Sequence, residues 1–537
     1  MKRLRKILLL CGVLTALLCA SVRAEDTLYA ANGGNLHFDK ANGTIMDCDE
    51  SVIRVVIPAE IKGVAVTAIG DEAFANCKLL TGVKIPEGVM SIGNGAFRNC
   101  VSMESAEIPG GLTAIGNEAF AGCRTLSGVT LPDSLTSIGE RAFQGCRSVE
   151  AFRIPQSVRR IGDGAFLDCD KLERIDAQGE NADYSSVDGV LFNGAQTRLL
   201  RYPPAKPDAS YTVPYDVTYV AEWAFSGCAN LKTVAVSATV ITIEDGAFWG
   251  CGNLTGVSLP KSLTSIGSGA FRDCGSLTEI AIPERVTVIR DGTFSGCVKL
   301  REASIPQGVE LIRANAFEDC RVLERVEIPN RVTSIGDSAF RGCAGLTEIE
   351  IPNGALSVGE NAFQNCAKLT FVELPVSVGA IGWDAFADCA NLRDVYYAGS
   401  QAQWGGIPEL AHTGLLSDAV AIHYDSAGPD APEVKFTSGP LVGKLLLKAS
   451  DLRGLKEVTV PLTTDAETPL EVTVMTPFYD ADGRLVGIGM GAGSVDSATN
   501  SVKVSVTDDV SRATDVKLMI FGAKKPLAAT FRYHIQA

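Results

Sequence analysis

Histidine is nearly absent from this 537-residue chain: only His37, His412, His423 and His534 occur, all outside the regular copies of the repeat described below. Acid–base catalysis near neutral pH and histidine-based metal sites therefore have little to draw on, and no Ser-His-Asp or Cys-His set is in view. Cys-x-x-Cys pairs are missing too, although the sequence holds 16 cysteines. That excludes the usual zinc and dithiol frameworks, so no cofactor, metal or catalytic residue is expected. Basic charge is in deficit, with 48 Lys and Arg against 63 Asp and Glu and a net charge of −15. Nucleic acid, whose phosphates need a basic surface to displace counterions, does not fit as a partner. Beyond residue 24 no apolar run of about 18 residues occurs, so no membrane span is expected in the rest of the chain.

Residues 1–24 have a basic start (Lys2, Arg3, Arg5, Lys6), an apolar stretch from Ile7 to Ala20, and Val22-Arg23-Ala24 before Glu25-Asp26. This is the layout of a secretory signal peptide cleaved after Ala24, and it predicts a secreted or cell-surface protein. Leu18 precedes Cys19, where a lipoprotein signal would carry a small residue.

What is abundant is repetition. Cysteines stand at 77, 100, 123, 146 and 169, and again at 228, 251, 274, 297, 320, 343, 366 and 389, with a spacing of 23 within both runs. Each follows a phenylalanine by three residues, from Phe74 to Phe386, and most copies carry an Ile-Gly pair shortly upstream, as in Ile335-Gly336-Asp337-Ser338-Ala339-Phe340. A chain of this length would ordinarily split into three or four domains; a fixed period instead predicts stacked coils, each burying the apolar face of its neighbour. From Cys343 to Asn365 the recurring apolar positions are Cys343, Leu346, Ile349, Ile351, Ala355, Val358, Ala362 and Phe363. Leu-x-x-Ile-x-Ile reads as a short strand ended by Pro352, Asn353-Gly354 as a turn, and Val358-Gly359 as a second extended stretch. Glu360 to Cys366 reads as a short helical or tight turn.

These residues resemble the BspA-type leucine-rich repeats of bacterial surface and secreted proteins, whose unit looks like Leu-x-x-Ile-x-Ile-Pro, then Ile-Gly, then Ala-Phe-x-x-Cys. The resemblance runs from about Val52 to Tyr424, with departures at Val220-Ala221, Ile243-Glu244, Ile289-Arg290, Ile312-Arg313 and Thr293. It implies a leucine-rich repeat solenoid of short parallel strands, turns and short helices over residues 63–396. Residues 25–62 are expected to form an N-terminal β cap, and 397–425, with Trp404 as a cap residue, a C-terminal one. The 59-residue gap between Cys169 and Cys228 leaves an elongated unit at about 177–214, read as a hairpin projecting from the solenoid. Residues 426–432 are a polar linker, and 433–537 have strand-like runs at the spacing of an all-β sandwich.

Two motifs invite a chemical reading and fail it. Gly487 to Gly493 lacks the strand–turn–helix setting and lysine of a phosphate loop, so a flexible or bulged strand is expected. Asp480-Ala481-Asp482-Gly483 lacks the length and remote glutamate of a calcium loop and reads as a hairpin turn. The thirteen ladder cysteines, one per coil, are expected to be reduced, buried and packed as small apolar groups. Cys48 lies out of phase and has no evident partner.

The solvent side of the strands carries the functional expectation. Its residues are mixed in the early coils but turn acidic and aromatic later, at Glu279, Glu302, Arg325, Glu327, Glu348, Glu350, Phe371, Glu373, Asp394 and Tyr396. This face is the candidate partner-binding surface, for a protein or glycan, and for a basic one if the carboxylates take part. The simpler alternative is a solvated acidic face that keeps the chain soluble. By resemblance the work is non-catalytic adhesion or protein–protein interaction. The competing readings are a structural spacer in the cell envelope, with specificity in the C-terminal domain, or a secreted enzyme with its site there.

Overall fold

A 23-residue phrase folds as a coil only if its backbone groups find partners, and stacking supplies them on three sides. In the computed structural model, residues 27–416 and 419–424 are described in full, with the backbone of Asp26 and, beyond them, that of nine strands between 434 and 534. The expected signal segment and the expected linker lie outside the described residues. The chain divides into two compact units, Met1–Glu279 with Thr293–Val298, and Ile280–Gly292 with Lys299–Ala537. The same coil builds both.

In the second unit, strand Glu348–Glu350 lies parallel to Phe371–Leu374, with Glu348 opposite Phe371 and Glu350 opposite Glu373. On another side Ser357–Val358 is parallel to both Ser334–Ile335 and Ala380–Ile381. The third side is made of turns. Here the Ser338, Phe340 and Gly342 amides donate to the Glu360, Ala362 and Gln364 carbonyls at 2.7–2.8 Å. Of the two forms open for Glu360 to Cys366, tight turns are found, because Asn361 (φ 56°) and Asn365 (φ 62°) are left-handed and stop a helix from propagating.

That left-handed position recurs in every copy. The residue before each ladder cysteine is Asn, Asp or Gly and has positive φ, from Asn76 (63°) through Gly227 (73°) to Asp388 (59°). These are the residues that enter this region at least cost. The glycine of Ile-Gly answers a different demand, close approach. A Cβ on Gly359 would lie 2.5 Å from the Asp337 amide of the preceding coil.

Inside the coils the repeated letters form columns. Phe317, Phe340, Phe363 and Phe386 stack with centroids 5.1–5.2 Å apart and planes within 10°. Phe74, Phe97, Phe120 and Phe143 stack in the first unit at 5.0–5.3 Å with planes within 12°. The cysteines are free thiols and do more than fill space. Cys343 Sγ donates to the Phe317 carbonyl of the preceding coil at 3.2 Å, Cys366 to Phe340 at 3.3 Å, and Cys123 to Phe97 at 3.1 Å. Burial pushes the Cys123, Cys169 and Cys297 thiols up to about 12, so they stay protonated, which suits a donor and not a nucleophile.

Both ends are covered. Three antiparallel strands, Asp26–Ala31, Gly34–Asp39 and Thr44–Cys48, open the chain, and the last pairs in parallel with Ala68–Ile69. Leu36, Phe38 and Ile45 are buried beneath them. At the other end Ser400 caps the one-turn helix Gln401–Trp404 through a capping box. Trp404 is 4% exposed and packs on Tyr397. Strand Ala421–His423 then joins the parallel sheet beside Asp394–Tyr397.

The elongated unit differs from a projecting hairpin. Tyr184–Val187, Val190–Asn193 and Arg198–Arg201 form an antiparallel meander whose third strand pairs in parallel with Tyr219–Val220. Val190, Leu191, Phe192 and Leu199 are buried, and Tyr202 stacks on Phe225 in the ring column, so the insertion is built into the stack. Beyond the cap, strand backbones such as Leu470–Tyr479 and Leu485–Val495 pair antiparallel. Gly487 to Gly493 falls within the latter strand, not in a loop. The expected sandwich rests on residues outside the described ones, as does the Asp480–Gly483 turn.

Three substitutions test this coil. Ser338→Gly relieves a left-handed residue (φ 54°) and is expected to stabilise by about 1 kcal/mol, whereas Gly342→Ala (φ 72°) should destabilise, its new Cβ meeting Asp319 Oδ1 at 2.6 Å. Cys343→Ala, which removes one thiol donor and leaves a small void, should cost about 1–2 kcal/mol. Urea midpoints of the three variants check both statements, and a neutral Cys343→Ala would mean that the thiol contact contributes nothing.

Candidate functional site

Alternation along a strand places every second side chain outward, and in-register stacking lines those side chains into two columns. In the second unit one column runs Glu348, Phe371, Asp394, and the other Glu350, Glu373, Tyr396, His423. Glu302 is exposed and its backbone bridges to Arg325. Glu327 is also exposed. Glu279, exposed on its strand, belongs to the first unit. The structure thus brings together Arg325, Glu348, Glu350, Phe371, Glu373, Asp394 and Tyr396, and adds His423.

The arrangement is less uniformly acidic than the letters imply. Arg325 forms an ion pair with Glu348 across neighbouring coils, so part of the charge is internally balanced. Glu373 is half-buried; burial, followed by the Glu350 and Glu348 carboxylates, pushes its pKa up to about 8. At neutral pH that carboxyl is mostly protonated. Asp394 Oδ1 accepts a hydrogen bond from His423 Nε2 at 2.8 Å.

Between these groups sits an aromatic cluster. The Tyr396 and His423 rings stack at 4.6 Å with planes 15° apart, and Phe371 meets Tyr396 edge-on at 6.1 Å. Burial raises the Tyr396 phenol pKa, with Asp394 and Glu373 contributing, so the ring presents a neutral hydroxyl. His423 was legible in sequence only as part of the terminal unit. Its signal is the alternation Ala421-Ile422-His423, which repeats the inward–outward pattern of the strands before it.

Chemically, the surface offers hydrogen-bonding carboxyls, ring faces and one imidazole on a rigid sheet. Among the described residues no group of three or more His, Cys, Asp and Glu could hold a metal ion, and no helix is long and apolar enough to cross a membrane.

Comparison with known proteins places this architecture. The BspA type leucine rich repeat region matches residues 55–187, 209–324 and 310–405. Among solved structures, a leucine-rich repeat protein from Eubacterium ventriosum ATCC 27560 is 26% identical, with a TM-score of 0.49, over 59% of this chain and 95% of its own. One from Bacteroides ovatus ATCC 8483 is 27% identical, with a TM-score of 0.45, over 74% and 99%. A leucine rich cell surface protein from Faecalibacterium prausnitzii A2-165 is 26% identical, with a TM-score of 0.36, over 71% and 97%. No curated protein matches the chain.

The shifted carboxyl gives a pH dependence of known sign. An ordinary glutamate titrates near 4.5, whereas Glu373 in the folded chain holds its proton up to about 8. The folded state binds more protons across that window, so the stability this group contributes is full below the lower value and falls as pH rises toward the upper. Glu373→Gln should flatten the fall and raise the thermal midpoint by a few degrees at about pH 9 but little at about pH 5. Identical pH profiles for the variant and the parent chain would refute the assignment.

Proposed function

The chain belongs to the BspA-type leucine-rich repeat family, and from that premise we propose that it is a non-catalytic binding protein, secreted or held at a cell surface, working in adhesion or protein–protein interaction. Its docking surface is the outward face of the second unit's parallel sheet, centred on Glu350, Phe371, Glu373, Asp394, Tyr396 and His423. The carrying observation is the interleaving of ring faces and carboxyls at adjacent register positions. A lysine or arginine placed there meets an aromatic face and a carboxylate together, and each cation–π contact contributes about 0.5–2 kcal/mol. A basic protein segment is therefore the preferred partner over a neutral glycan. The scaffold adds to this by being rigid, since strands fixed in a stack need no ordering on binding.

The leader-like residues 1–24 support an extracellular location, and family membership supports binding over turnover. Solid-phase binding of the full chain to host-cell surfaces and extracellular-matrix proteins, at low and high salt, tests the reading. Tyr396→Ala combined with Glu350→Lys should weaken binding about tenfold or more, roughly 1.4 kcal/mol, and remove much of its salt sensitivity. Unchanged binding would refute this face. Binding that survives the double variant but is lost on deleting 433–537 would favour the spacer reading instead.

A further inference from the structure

The thiol ladder breaks its own rule at its first member. Cys100, Cys123, Cys146 and Cys169 each donate to the carbonyl of a ladder phenylalanine 26 residues earlier, at 3.0–3.3 Å. Twenty-six residues before Cys77 stands Ser51, in the cap, and no ladder carbonyl is in place. Cys77 Sγ lies instead 2.8 Å from Cys48 Sγ, well inside ordinary contact between two non-bonded sulfurs. Cys48, which looked unpartnered in sequence, ends the cap strand Thr44–Cys48, and that strand's parallel pairing with Ala68–Ile69 carries it to the first coil.

We propose that Cys48 and Cys77 are a site of oxidative modification, forming a disulfide that staples the N-terminal cap to the first coil. Both are free thiols in the structure, 8% and 1% exposed, and the segment between them contributes Val52, Val55, Ile57, Ile61, Val66, Ile69 and Phe74 to the core. The bond would therefore enclose the whole junction between cap and stack. The contact is also chemically asymmetric. The Cys48 hydrogen bond lowers the Cys77 pKa, whereas contact with Cys77 and burial raise that of Cys48. The interior thiols Cys100, Cys123, Cys169 and Cys297 are all raised by burial.

The oxidant is a low-molecular-weight disulfide. The Cys77 thiolate, which the Cys48 hydrogen bond favours, attacks it as the cap edge opens, forming a mixed disulfide and releasing one thiol. Cys48, freed of the contact that raised its pKa, then loses its proton and attacks Cys77 Sγ, the intramolecular S–S bond forms, and the second thiol leaves. Two protein S–H bonds are lost, one S–S bond is gained, and the two electrons and two protons pass to the external disulfide, which ends as two thiols. The reaction in the cell rests on the extracellular location proposed above; the chemistry in solution does not, so the two ideas fail separately.

The test uses the full chain, oxidised glutathione, alkylation in denaturant and peptide mapping without reductant. The expected result is one joined peptide pair containing Cys48 and Cys77, lighter than the two thiol peptides by two hydrogens, with the Cys123 and Cys146 peptides alkylated. The thermal midpoint should fall by several degrees when reductant is added, and Cys48→Ala should abolish both the joined pair and the reductant sensitivity. Recovery of Cys48 and Cys77 as alkylated thiols after oxidation, or joined to other cysteines, overturns the proposal on the unmutated chain alone, whether or not the variant folds.

Discussion

Within each unit the coils satisfy their backbones through one another, and each of the repeated letters answers to that in-register hydrogen bonding. A coil has three sides, and on each the amides and carbonyls reach sideways, as the Phe340 amide does to the Ala362 carbonyl at 2.7 Å. Register fixed in this way forces like residues to meet like. Phenylalanines become a stacked column, and the residue before each ladder cysteine is held in the left-handed region by the same turn throughout. Side-chain chemistry then follows backbone geometry: thiols are placed beside carbonyls, and carboxyls beside carboxyls.

The same constraint accounts for the character of the outward face. Carboxylates in one column sit at strand spacing, close enough to disfavour full ionisation. The structure relieves that repulsion in three ways: an arginine for Glu348, a retained proton for Glu373, and a histidine for Asp394. What remains outward is a mixture of hydrogen-bonding groups and rings, a surface suited to recognising both charge and shape. Between two paired strands of the first unit the same logic produces a plain surface ion pair, Lys84 with Glu107 at 3.0 Å.

Much of the coil was legible because its period is long, strict and repeated. Leu-x-x-Ile-x-Ile, Ile-Gly and Ala-Phe-x-x-Cys carry strand, close approach and ring column respectively. The column of Asn, Asp and Gly before cysteine was equally visible, yet its meaning depends on a backbone angle. Contacts between coils were not legible, since no local pattern tells that a thiol meets a carbonyl 26 residues earlier or that Cys48 meets Cys77. At the candidate face, the residues were readable from alternation, but the Arg325–Glu348 pairing, the shifted Glu373 and the addition of His423 depend on register across strands. The elongated unit was found by counting, whereas its burial in the stack required seeing which side chains its strands turn inward.

The phenylalanine carbonyl has a consequence for how such a chain can change over generations. It accepts from its own coil, as the Cys320 amide does to Phe317 at 3.2 Å, and from the thiol of the coil that follows. Within a unit the described regular junctions are therefore the same joint, with the same donor arriving from the same side. Loss or duplication of a whole copy by recombination would rejoin matching surfaces, so the number of coils is free to drift while the caps and the acid–aromatic corner stay intact. Reach, in such a molecule, is a heritable quantity adjusted in steps of 23 residues.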